Sequence, residues 1–157
     1  MGAVPNNFKQ AVMEGSIDLT ADTVKVALIS DDTAYTFDPA AHSFVNDILD
    51  GGTTASEFTG SGYSRQTLSG LSVTQDDTDN EGVFDANDVT FSSLDGDGIQ
   101  GVVIYQQIGG DDTTPGDDRV LAVVDDDSAG SNSDLPLTTN GSDVTLSFNA
   151  EGVINIT

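Results

Sequence analysis

The chain contains one imidazole, His42, and no cysteine, so nucleophilic or acid–base chemistry would have to be built on that histidine or on carboxylates. His42 follows Asp38-Pro39-Ala40-Ala41, just inside a predicted helix, with no serine in a recognisable nucleophile motif. It reads as a structural or surface histidine. Carboxylates are plentiful, 27 Asp plus Glu, and two of them are the requirement for glycoside cleavage. That same abundance makes any one pair uninformative. The residues nominate no catalytic side chain and no cofactor-binding side chain, and the expectation is a protein that is not an enzyme.

One spacing resembles a metal site. Asp77, Asp79, Glu81, Gly82, Asp85 and Asp88 fall on the alternating oxygens, the turn glycine and the closing ligand of a calcium-loop template. The closing ligand is Asp where a longer Glu is wanted, no helix flanks the segment, and Val83, Phe84, Val89 and Phe91 look like strand residues. An acidic turn between strands is the favoured reading, with calcium or magnesium around Asp77 the lesser one, and no metal ligand is assigned. Asp95-Gly96-Asp97-Gly98 reads as a hairpin turn. Asn140-Gly141-Ser142, in a turn, and Asn155-Ile156-Thr157, in a strand, match the N-glycosylation pattern.

The elements that would position these groups are mainly β. Phe8, Ala11 and Val12 lie at helical spacing between an Asn6 cap and Gly15, which predicts a short first helix. A second is expected from the Asp38 cap and Pro39 through the apolar face of Phe44, Val45, Ile48 and Leu49 to Gly51-Gly52. Val24, Val26 and Leu28 alternate with Thr23, Lys25 and Ala27, the period of a half-buried strand. Further strands are expected at Tyr63–Leu68, Leu71–Thr74, Val89–Leu94, Val102–Ile108, Val120–Val124, Val144–Phe148 and Val153–Ile156. Val102–Tyr105 and Val120–Val124 are apolar on both parities and should be central strands covered on both faces. The last two should form a terminal hairpin around Glu151-Gly152. Residues 1–157 therefore read as one domain, an antiparallel β-sandwich or jelly-roll-like barrel of about eight strands with two short helices near the N-terminus. Residues 1–15 are a potential docking arm through Phe8 and Val12. The loops Gly109–Asp118 and Asp125–Asp134 read as solvated turns.

Charge limits the partners. Four Lys plus Arg against 27 acids give a formal net charge of -23, and of those acids 23 are Asp and only 4 are Glu. Asp favours turns because it bonds its own backbone there. Leu, Ile, Val and Phe make up 40 of 157 residues, above the roughly one-fifth below which disorder is the default. With cations only at Lys9, Lys25, Arg65 and Arg119, no patch could neutralise several phosphates, so neither nucleic acid nor an anionic membrane is an expected partner. Self-repulsion of this size is tolerated where the Debye length shrinks from about 10 Å at 0.1 M salt to roughly 3 Å at 1 M, which fits a halophilic source. No apolar run approaches a membrane span and no basic-then-apolar leader begins the chain.

The ordered series Gly15-Ser16-Ile17-Asp18-Leu19, Asp22–Leu28, then Pro39 and His42, continues through Gly60-Ser61-Gly62-Tyr63, Gln66-Thr67-Leu68, Phe84–Phe91, Gly101–Tyr105 and Phe148–Ile154. In that order it resembles small virion-structural proteins of tailed phages and of haloarchaeal tailed viruses. The resemblance implies a capsid decoration or turret subunit on the virion surface. Its implied partners are the major capsid protein and its own copies, as a homo-oligomer, trimer or pentamer. Acidic insertions at Asp76–Asp79, Asp111–Asp118 and Asp125–Asp127 depart from the phage-like pattern. A tail or baseplate structural protein and a calcium-dependent carbohydrate-binding module are the alternatives.

Overall fold

The computed structural model of the chain describes residues 3–125, 134–149 and 151–156. Among these the order is α1 (Asn6–Glu14), β1 (Val24–Ser30), α2 (Val45–Ile48), β2 (Gly60–Ser61), β3 (Gln66–Thr67), β4 (Ser72–Asp76), β5 (Glu81–Asp85), β6 (Val89–Gly96), β7 (Ile99–Gln106), β8 (Arg119–Asp125), β9 (Ser142–Leu146) and β10 (Ile154–Ile156). The strands form three sheets with the orders β3-β1-β7-β8, β10-β5-β4 and β2-β6-β9. Every ladder is antiparallel. The fold is mainly β and sandwich-like, as expected. No barrel closes among the described residues, so the jelly-roll-like alternative is set aside.

The four-stranded sheet is the spine. On one face of β1 and β7, Val24, Val26, Leu28, Val102 and Ile104 join Phe8 of α1, Phe58 of the segment before β2, and Phe84, Phe91, Leu94 and Ile154 of the other two sheets in the larger core. On the other face, Ala27, Ile29, Val103, Tyr105, Val120 and Val123 pack against Tyr35, Val45, Ile48 and Ala55. β1 is therefore not the half-wet strand its alternation suggests. The segment 31–55, mostly irregular, lies across its second face as a strap.

Central burial of β7 agrees with its continuous apolar sequence, and all eight of its residues are buried. β8 differs: it is buried but stands at the end of its sheet order. Its outer edge is closed instead by two short bridges, Ala3 with Val123 and Phe44 with Arg119. This explains why the second helix is one turn rather than the longer helix begun at Pro39. The Ser43 carbonyl accepts from Val120 N–H at 3.0 Å and Val45 N–H donates to the Asp118 carbonyl at 2.9 Å, which holds the chain extended where a helix would have begun. Asp38 still caps, but it caps a turn, accepting Ala40 N–H at 2.8 Å.

Other boundaries shift for similar reasons. The first helix begins after Pro5, with no side-chain cap from Asn6, and ends at Gly15 in the left-handed conformation, φ 65°. Only Gln66–Thr67 of the expected Tyr63–Leu68 strand pairs. The terminal hairpin does not form: β9 pairs with β6 while β10 pairs with β5. An antiparallel bridge of Asn149 with Gly152 marks the change of sheet between β9 and β10, and Ile154 packs in the larger core with Phe84. Gly96-Asp97-Gly98 likewise is not a hairpin turn but the crossing from β6 to β7, which lie in different sheets. Thr139 Oγ1 accepts Gly96 N–H at 2.9 Å and bonds the Gly96 and Asp97 carbonyls at 3.0 Å each, fixing that crossing.

Phe8 is wholly buried and Ala11 nearly so, whereas Val12 and Met13 are exposed. The N-terminal segment is thus seated on the core and on β8, with only one flank facing solvent. We expect Phe8→Ala to cost about 3–5 kcal/mol in urea unfolding, as for other fully buried Phe deletions. Met13→Asp should leave stability within about 0.5 kcal/mol. Equal effects would show that the helix is not part of the core.

Candidate functional site

The densest polar arrangement lies at the open end of the second core. It is built by strand parity, which sets Lys25 of β1 beside Tyr105 of β7 and Thr67 of β3 on one face. Asp112, from the loop after β7, enters this row. It pairs with Lys25 Nζ and accepts from Tyr105 Oη and Gln107 Nε2, each at 2.7 Å. Arg65, two residues before Thr67, grips Glu57 with both arms of its fork, Nε to Oε1 at 2.8 Å and Nη2 to Oε2 at 2.7 Å. Its Nη1 stands 3.7 Å from Asp112, and its guanidinium lies 5.5 Å from the Tyr105 ring centroid. Tyr63 Oη donates to Glu57 at 2.6 Å and accepts Leu28 N–H at 3.3 Å, tying the network back to β1. Beside it, Arg119 binds Asn7 and Gln106, whose amide in turn donates to Asp22.

Electrostatics follow from these contacts. Burial alone would raise the Asp112 pKa, but hydrogen bonds from Lys25, Tyr105 and Gln107 hold it below the ordinary carboxylate value. Burial, with Glu57 next to one and Asp112 next to the other, pushes the Tyr63 and Tyr105 hydroxyls up, so both remain donors. Asp118 is different. Fully buried, its Oδ1 accepts Ile108 N–H at 2.8 Å while Oδ2 has no partner among the described residues. Burial raises its pKa despite that bond, and Asp112 adds to the rise. The Gly109–Asp118 loop is accordingly not a simply solvated turn, because Asp112 and Asp118 point inward. What the network does chemically is hold cations: Lys25 and Arg65 are neutralised by Asp112 and Glu57, and Arg119 beside them is bound by the amide oxygens of Asn7 and Gln106.

The other nominated residues disperse. Asp77 and Asp79 sit in the tip between β4 and β5, whose last pair is Asp76 with Glu81. There the Asp76 carboxylate accepts Thr78 N–H at 2.7 Å and Asn80 takes a positive φ of 60°. Glu81 and Asp85 run along β5 rather than around an ion. Glu81 accepts from Asn155 and Asp88 caps Phe148 N–H. Among the described residues no group of three or more His, Asp or Glu converges as a metal cage. His42 lies in the turn before α2, buried, with Nδ1 accepting Asp38 N–H at 3.0 Å and 3.1 Å from Tyr35 Oη. That places its proton on Nε2, and burial lowers its pKa although Asp38, Asp47 and Asp50 oppose the shift. Asn140 is exposed and accepts Ser142 N–H, whereas Asn155 is half-buried on β10 and Thr157 lies outside the described residues. So do residues 126–133 of the second acidic loop and Ala150 of the Phe148–Ile154 match.

Sequence reasoning missed the network around Asp112. A signal was present: in a chain with four cations, Lys25 and Arg65 stand in otherwise uncharged strand segments, where a cation turned inward needs a carboxylate from elsewhere. No family model matches the chain and no curated protein matches it.

Two predictions come from this geometry. Arg65→Met, which leaves Glu57 with no cation in its fork, should cost about 3 kcal/mol in urea unfolding at constant salt, and Arg65→Lys should recover only part of it. Unchanged stability in Arg65→Met would reject the pairing. For His42, the folded pKa lies below the ordinary 6.5, so its contribution to stability is present above that value and is lost as pH falls below it toward the folded pKa. Thermal unfolding between about pH 7 and pH 5 should therefore show a slope that His42→Gln flattens. An identical slope in the variant would assign the pH dependence to other groups.

Proposed function

We propose that the chain is a non-catalytic structural subunit of a virus particle working in concentrated salt, a decoration or turret protein of the head. The observation that carries this reading is how the polar groups are used. The basic side chains of the network brace the fold, His42 receives a backbone N–H inside the strap, and many carboxylates are acceptors for turn amides. Asp18 takes Thr20 N–H, Asp50 takes Thr53 and Thr54, Asp76 takes Thr78 and Asp111 takes Thr113, at 2.7–3.0 Å. These bonds hold all four carboxyls below their ordinary pKa, led by the Thr20 or Thr113 hydroxyl at Asp18 and Asp111 and by the Thr54 or Thr78 amide at Asp50 and Asp76. A rigid β body with a persistently ionised surface suits a subunit that binds by shape and repetition rather than by chemistry. High salt would screen its self-repulsion.

Support also comes from the ordered resemblance to small virion-structural proteins, carried by strand residues such as Gly101–Tyr105. The test is direct: gold-labelled antibody against the chain, applied to purified particles in high salt, should mark the heads. Label on tails would move the role to the tail or baseplate, and unlabelled particles would overturn the reading.

A further inference from the structure

The Lys25–Asp112 pair has more around it than an ion pair needs. Lys25 of β1 stands directly opposite Tyr105 of β7, and its side chain is only 12% exposed. Its Nζ meets Asp112 Oδ2. The other oxygen, Oδ1, receives Tyr105 Oη and Gln107 Nε2 at 2.7 Å each, with the Arg65 guanidinium 3.7 Å away. The carboxyl is thus divided: an amine lies against one oxygen, and donors suited to developing negative charge converge on the other. A second carboxyl, Asp118, is fully buried within electrostatic reach of Asp112, Arg65 and Lys25, and its Oδ2 has no partner among the described residues.

An amine, a carboxyl carbon, an oxyanion site and a buried acid are the components of amide condensation. We propose that Lys25 and Asp112 condense into an isopeptide bond that ties β1 to the loop after β7, with Asp118 as the acid that carries the proton. A proton first passes from Lys25 Nζ to Asp112 Oδ2 along the hydrogen bond they share, leaving an amine and a neutral acid. Nζ attacks Cγ, and the displaced C=O electron pair settles on Oδ1, facing Tyr105 and Gln107. Asp118 gives its proton to the departing Oδ2 hydroxyl and takes one from Nζ. The Nζ–Cγ bond forms, the Cγ–Oδ2 bond breaks and one water leaves. No oxidant, reductant or activated donor enters, and the net charge stays at -23 because one cation and one anion vanish together.

Two features favour the step. Burial pushes the Asp118 pKa up, which favours the form that has a proton to give. Against it, hydrogen bonds from Lys25, Tyr105 and Gln107 keep Asp112 ionised at rest although burial opposes this, so the first proton transfer is uphill. Confinement offsets that cost: groups held in reacting geometry behave as though at about 10⁵–10⁸ M, which also resists hydrolysis of the product. The Asp112 side chain, 33% exposed, leaves the water a way out. The link joins positions 87 apart in a chain without cysteine, and constrains the unfolded state as a disulfide would. It is a single event without turnover, so it goes beyond the structural role proposed above and does not depend on it.

The test is the intact mass of the full chain, purified in about 2 M sodium chloride and then denatured. We expect one water less than the sequence requires. Trypsin, which does not cut after an acylated lysine, should release residues 10–65 joined to 66–119, with fragment ions placing the link at Lys25 and Asp112. Lys25→Arg keeps the positive charge and should have the full mass of its own sequence. Asp118→Asn keeps an acceptor for Ile108 N–H, so it should fold with the wild-type circular dichroism spectrum and remain largely unlinked. Wild-type chain at its full mass, a water loss that persists in Lys25→Arg, as an aspartyl succinimide would give, or Asp118→Asn linked as completely as wild type would each overturn the inference.

Discussion

A sheet that is apolar on both faces needs two covers, and in this protein the second cover has no ladder of its own. The remaining two sheets and α1 shield one face of the four-stranded sheet. The strap, residues 31–55, shields the other. Irregular backbone laid over an apolar face leaves amides and carbonyls that water cannot reach, and each must find a partner. Buried polar side chains of the sheet supply them. Gln100 accepts Tyr35 N–H and donates to the Ser30 and Thr33 carbonyls, and Asp125 accepts Phe37 N–H at 3.1 Å. His42 serves the strap's own turn. Four of the buried polar residues, Ser30, His42, Gln100 and Asp125, serve this irregular cover.

The same physics assigns a second task to the acidic composition. Asp is the residue whose carboxylate reaches an amide two or three positions later, so a chain rich in short turns has reason to use it apart from any solvent. Turn formation alone therefore gives this chain a use for Asp over Glu, and the ratio of 23 Asp to 4 Glu reports its turns. The inward-facing pair Asp112 and Asp118 shows that position decides: the first is satisfied by Lys25, Tyr105 and Gln107, the second by a single amide.

Much of this was legible in the sequence where periodicity and burial agree. β7 and the β1 core face follow from continuous or alternating apolar residues, and the Gly15 stop follows from backbone freedom. Pairing was less legible, because alternation says which face a residue occupies and nothing of which strand lies beside it. The β9–β10 hairpin failed on this account, although both strands exist. β5 was only half visible: Val83 and Phe84 read as strand residues, but Glu81 and Asp85 on either side of them fell on the calcium-loop template, so no separate strand was expected there. The Asp112 network was hidden by distance, since Lys25 and its carboxylate are 87 positions apart.

Those separations carry a consequence for the order of synthesis. The strap leaves the ribosome well before the residues that receive it: Gln100 lies 65 positions after Tyr35, and Asp125 lies 88 after Phe37. β1 likewise waits for β7, its long-range neighbour. Until β7 and β8 emerge, Val45, Ile48 and Ala55 have no sheet to cover, so half of the nascent chain must stay soluble without its tertiary partners. Such non-local pairing slows folding and prolongs the time in which apolar segments can meet other chains. A dense complement of aspartates within that first half, at Asp31, Asp32, Asp38, Asp47 and Asp50, keeps like segments apart during the wait.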